Sequence, residues 1–122
     1  FSRAGSSVAG LDINSTGSLG YHWNGASNTW SWDSGLSVPA DQWLFAALVV
    51  EPDRATIWRG VGGVLASAVN SVTHQPEEFD GTTRIGSDAF GGREFAGDVD
   101  DVRIYRGALD ARRIEVLYTS SL

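Results

Sequence analysis

The sequence predicts an all-β fold: two packed antiparallel sheets forming a sandwich, with one short helix at the C-terminal end. Three observations carry this. Apolar and polar residues alternate with a period of two in several short runs, the signature of strands with one buried face. Turn residues separate those runs at close intervals, as in a sandwich. The composition, with 15 Gly, five Trp, five Phe and three Tyr in 122 residues, suits many turns around an aromatic core. Only residues 110–118 have helical spacing, with Ile114, Leu117 and Tyr118 on one face of about two turns. So short a helix needs docking to be stable.

Phe1, Ser2 and Arg3 read as the end of a strand. Residues 8–13 form a second short strand with Leu11 and Ile13 on one side, and Asn14-Ser15-Thr16 after it has the form of a glycosylation sequon. Residues 19–32 are expected to form a hairpin. Leu19, Tyr21 and Trp23 share one face, Asn24-Gly25 makes the turn, and Trp30 and Trp32 share a face of the return strand. Residues 43–50 are apolar on both faces, which suggests a central strand. A turn at 51–54 leads to a strand over 55–59, and Gly62-Gly63 leads to another over 64–72. An acidic loop covers 74–81, and a strand covers 82–86. Residues 97–105 alternate again: Asp98, Asp100, Val102 and Ile104 on one face, Val99, Asp101, Arg103 and Tyr105 on the other. Asp110 stands where an N-cap carboxylate would accept a hydrogen bond from the first helical turn, flanked by Leu109 and Ile114 at staple spacing.

The closing stretch, through Phe95, Gly97, Asp100, Asp101, Val102, Arg103, Ile104, Tyr105, Ala108, Leu109, Ile114, Leu117 and Tyr118, resembles the C-terminal end of laminin-G-like domains of the concanavalin A-like lectin/glucanase superfamily. The weaker similarity of residues 43–50 and of Arg84-Ile85-Gly86 extends it to about two thirds of the chain. The resemblance implies a jelly roll, a single domain over residues 1–122, a binding role and a secreted or cell-surface location. Such domains usually carry one or two further strands before the first seen here. Their lack predicts an open sheet edge at residues 1–13, offering unpaired backbone groups to a second copy or to a strand donated by a flanking segment.

Composition narrows the chemistry. The net charge is −6 and every basic residue is Arg, which disfavours a nucleic-acid partner. No apolar run is long enough to span a membrane, and the lack of Cys rules out disulfides and thiolate metal sites. Glycoside hydrolysis needs two carboxylates across a cleft. The Glu-x-Asp-x-x-Glu type of pattern that related glucanases carry is absent, so no catalytic residue is assigned. Asp100 and Asp101, with Asp88, are the candidate ligands of a structural calcium, which many laminin-G-like domains hold. The alternative is that these carboxylates pair with Arg84, Arg93 or Arg103, since consecutive strand residues point to opposite faces. Tyr21, Trp23, Trp30 and Trp32 would make an aromatic platform for a sugar, with His22 and Asp33 as polar neighbours, unless the rings are core. The sequence therefore points to a non-catalytic, lectin-like module binding a polysaccharide or glycan. The alternative is a structural or adhesive module that assembles through its open edge.

Overall fold

The computed structural model describes residues 1–3, 7–78 and 80–122. Its elements are β1 (Ser2–Arg3), β2 (Ala9–Ile13), β3 (Leu19–His22), α1 (Ser27–Trp30), β4 (Phe45–Glu51), β5 (Arg54–Val61), β6 (Val64–Asn70), β7 (Thr83–Arg84) and α2 (Ala111–Ser120). They form two antiparallel sheets, one in the order β3-β2-β1-β7 and one in the order β4-β5-β6. Leu19 and Tyr21 of β3 meet Ala55 and Ile57 of β5 between them, and Leu11, Leu36, Val38, Leu48 and Val50 pack around this cluster.

The second sheet is a meander of adjacent hairpins. Pro52-Asp53 turns β4 into β5, and Gly62-Gly63 turns β5 into β6. Both glycines have positive φ, 58° and 79°, which a side chain would resist. The strand at 43–50 is apolar on both faces for a different reason from centrality: β4 is an edge. Its inner face meets the core, and its outer face lies toward α2, where the Phe45 and Tyr118 rings meet at a tilt of 48° with 5.7 Å between centroids.

α2 begins where expected. Asp110 is extended, and its carboxylate accepts a 2.8 Å hydrogen bond from the Arg113 N–H. Ile114 and Tyr118 are buried against the sheet. The Tyr118 ring packs against Gly60, so closely that a Cβ on Gly60 would clash with it.

Three expectations fail. The return strand at Trp30 and Trp32 does not form. Asn24 and Gly25 do turn the chain, with φ of 53° and 60°, but α1 follows. The Thr29 hydroxyl accepts from Trp23 N–H and bonds the Ala26 carbonyl, a local side-chain alternative to the ladder. The closing strand is also unformed: residues 97–105 join no sheet among the described residues, and Asp101 interrupts them with φ 51°. Finally, the open edge is not at residues 1–13. β1 lies between β2 and β7, with Ser2 opposite both Gly10 and Arg84, and β2 lies between β1 and β3. Residues 4–6 of that stretch fall outside the described residues.

Two substitutions test the docking of α2. Gly60→Ala should destabilise the domain by about 1–3 kcal/mol, as overpacking does, seen as a lower urea midpoint. Asp110→Ala should cost about 1 kcal/mol, the usual loss of an N-cap, with no change in the slope of the urea transition.

Candidate functional site

The register of β2 against β3 builds the site. Leu11 faces Tyr21 and Ile13 faces Leu19, so these four point toward the core side; Asp12 faces Gly20 and Gly10 faces His22 on the other side. Gly20 has no side chain to fill its place, and Asp12 and Asn14 occupy it instead. A Cβ there would stand 2.7 Å from Asp12 Oδ1 and 3.5 Å from Asn14 Cβ. The other carboxylate oxygen of Asp12 is shut off from solvent and meets His22 Nδ1. That contact orients the imidazole and leaves Nε2 for a ligand.

The cluster continues through the next loop. Asn14 Oδ1 accepts from the Thr16 and Ser18 N–H groups at 3.1 and 3.0 Å and from the Thr16 hydroxyl. Thr16 Oγ1 also lies 2.8 Å from Asp33 Oδ2, and the Gly35 N–H donates to Asp33 Oδ1 at 2.9 Å. The Gly35 amide, then Thr16 and Asn14, hold the Asp33 carboxyl below its ordinary pKa, so it remains ionised in mild acid. Two bonded groups, His22 with Asp12 and Asn14 with Thr16 and Asp33, thus lie side by side over Gly20 as one polar strip. It offers carboxylate, amide, hydroxyl and imidazole groups, the set that satisfies sugar hydroxyls.

The aromatics predicted as a platform are dispersed. Tyr21 is 1% exposed and belongs to the core. Trp32 packs on it edge-to-face at 5.8 Å, and Trp23 is half-buried with its indole N–H donating to the Gln75 carbonyl at 2.7 Å. Trp30, on α1, is 52% exposed. His22 and Asp33 are the expected polar neighbours that the structure sets in one strip, His22 beside Asp12 and Asp33 beside Thr16 and Asn14; sequence reasoning passed over Asp12 and marked Asn14 and Thr16 only as a sequon. The alternation of both strands was visible. The register that sets Asp12 opposite Gly20 was not.

The carboxylates suggested for calcium do not fit one ion. Asp101 is taken by the Arg103 guanidinium in a two-pronged contact at 2.8 Å for each prong. Asp88 Oδ1 accepts from the Phe90 and Gly92 N–H groups, shaping its own loop, with Arg93 3.8 Å from Oδ2. Asp100 accepts from the Asp101 N–H. No group of three or more potential metal ligands converges among the described residues. A hollow of about 490 Å³ runs along α2, lined by Tyr105, Leu109, Arg112 and Leu117, and shares no residue with the polar strip.

A strap from His74 to Glu77 secures the end of β3. The Gln75 N–H donates to Asn24 Oδ1, the Asn24 amide donates to the Gln75 carbonyl, and Glu77 Oε1 accepts from the Asn24 N–H at 2.7 Å. The strap is anchored inside by the Tyr21 hydroxyl, which lies 2.8 Å from His74 Nε2 and accepts from Asn70 Nδ2 at 2.9 Å. His74 is buried, and Nδ1 makes no hydrogen bond of ordinary geometry.

A family model described as the concanavalin A-like lectin/glucanases superfamily, of laminin-G type, matches residues 1–115. The chain belongs to this superfamily. No curated protein and no solved structure gives a match.

Burial lowers the His74 pKa, and the Val72 backbone offsets this only in part. The unfolded chain therefore binds this proton more readily than the folded one. Stability from neutral His74 is complete above about pH 6.5, the unperturbed value, and falls as the pH drops toward the lowered folded value. Urea midpoints measured across that window should decline in acid, and His74→Gln should flatten the decline.

Proposed function

We propose that this domain is a non-catalytic, lectin-like module of jelly-roll type that binds an extracellular polysaccharide or glycan. The observation that carries the proposal is the strip of His22, Asp12, Asn14, Thr16 and Asp33 laid over Gly20. Sugars need directional hydrogen bonds from fixed donors and acceptors, and these side chains are fixed by one another. Trp30, whose ring is exposed one turn before Asp33, adds an aromatic face of the kind that stacks on sugar C–H groups. Membership of the superfamily supports the class of ligand. Two features support binding over hydrolysis. Asp33 is kept ionised by three donors, which suits an acceptor and not a general acid, and Asp12 is engaged by His22.

Affinity electrophoresis through gels containing neutral and acidic polysaccharides checks this. The domain should be retarded by at least one of them. His22→Ala and Asp33→Asn should each weaken retention about tenfold, the effect of losing a hydrogen bond of about 1.4 kcal/mol to a ligand. Mobility unaffected by every polysaccharide would refute the reading, and so would reducing sugar released from the gel.

A further inference from the structure

The segment at 97–106 has the pattern of a strand and no sheet to join. Among the described residues, no backbone–backbone hydrogen bond reaches residues 96–106. Its apolar side chains stand in solvent: Val99 is 51%, Val102 45%, Ile104 58% and Tyr105 47% exposed. An alternating stretch with exposed apolar side chains, whose backbone joins no ladder and whose Asp101 N–H is held only by the neighbouring Asp100 side chain, is a template for another strand.

We infer that the occupant is the same segment of a second copy, paired antiparallel about a two-fold axis through Val102. The segment is complementary to its own reversed sequence. In a symmetric antiparallel pair, opposed residues point to the same face, so each register is centred on one residue that meets its own copy. Centred on Val102, the pairs are Asp98 with Arg106, Val99 with Tyr105, Asp100 with Ile104, Asp101 with Arg103, and Val102 with Val102. Counting both halves, four opposite-charge pairs and three apolar pairs form, and only Asp100 with Ile104 is indifferent. Opposite charges and aromatic–β-branched pairs are the cross-strand contacts that stabilise a sheet. The neighbouring registers are opposed by charge. Centring on Asp100 or Asp101 sets carboxylate against carboxylate on the axis, and centring on Arg103 sets guanidinium against guanidinium.

The single chain already shows the same preference. Asp101 and Arg103, which would face each other across the axis, pair within one copy at 2.8 Å, where Asp101 has φ 51°. Extending the segment in both copies exchanges the two internal pairs, one in each chain, for two between copies, and releases a non-glycine residue of each chain from the left-handed region. This interface involves none of the residues of the polar strip, so it stands or falls apart from sugar binding.

Sedimentation equilibrium on the intact domain should show the mass rising with concentration from 13.0 kDa toward twice that value. The chain has no Cys, so introduced thiols report the register. Val102→Cys should cross-link to a covalent dimer on mild oxidation. Asp100→Cys should not, because its two copies would lie about 13 Å apart along the ladder, beyond the roughly 4.4–6.8 Å a disulfide spans. Val102→Glu and Val102→Lys should each be monomeric with unchanged melting, and a mixture of the two should dimerise. A monomer at all concentrations, equal cross-linking at both positions, or a dimer indifferent to Val102→Glu would overturn the proposal.

Discussion

Tyr21 carries its hydroxyl into the closed space between the sheets, and the arrangement at that end of the sandwich follows from satisfying it. A buried hydroxyl without a partner costs about 1–3 kcal/mol. Asn70 and His74 supply the partners, and both have to be brought from the second sheet. Asn70 is the last residue of β6, opposite Ala55, so its side chain already faces the core. His74 lies four residues on, which fixes where the chain leaves that sheet. Once His74 is in place, Gln75 and Glu77 fall beside Asn24 and Trp23. The end of β3 is then held from inside by Tyr21 and from outside by the strap. The register of β3 on β2, and with it the polar strip, rests on that double hold.

The strands that were legible in the sequence are those whose alternation and turn agree. Leu11 and Ile13 mark β2; the Pro52-Asp53 and Gly62-Gly63 turns delimit β4, β5 and β6; and Asp110 with Ile114 marks α2. The failures share a cause. Alternation shows that a segment could lie in a sheet, but a ladder needs a second strand at the right place. Trp30 and Trp32 alternate well, yet the Thr29 hydroxyl offered the backbone a nearer partner, and the strap took the outer groups of Trp23 and Asn24. Residues 97–105 alternate better still, but the edges of the four-stranded sheet are β3 and the two-residue β7, and neither is paired with them. The same limit applied to residues 1–13, where β7 closes an edge that sequence reasoning left open.

The candidate site was half legible for a related reason. His22 and Asp33 could be picked out as polar neighbours of aromatics, but the rings that drew attention to them are mostly packing. What joins the two residues is a pairing between strands. Asp12 matters because Gly20 lies opposite, and Asn14 and Thr16 matter because the loop after β2 curls back toward Asp33. A glycine within a strand says that something approaches closely. It does not say what approaches, and here that is a carboxylate from the neighbouring strand.

The contrast between the two sheets also orders the folding reaction. β4, β5 and β6 follow one another through two-residue turns, and hairpins of this kind close in about 1–10 μs. The other sheet is stitched across nearly the whole chain, since Ser2 pairs with Arg84 and that ladder is two residues long on each strand. Closing so long a loop costs entropy that two residues of ladder return only when the core beneath is already packed. The topology therefore predicts that the meander forms first and that the β1–β7 seam is the last part to zip and the first to open. In native-state hydrogen exchange the amides of Ile57 and Trp58 would trade their protons only on global unfolding, while those at the seam would exchange through a local opening that leaves the meander intact.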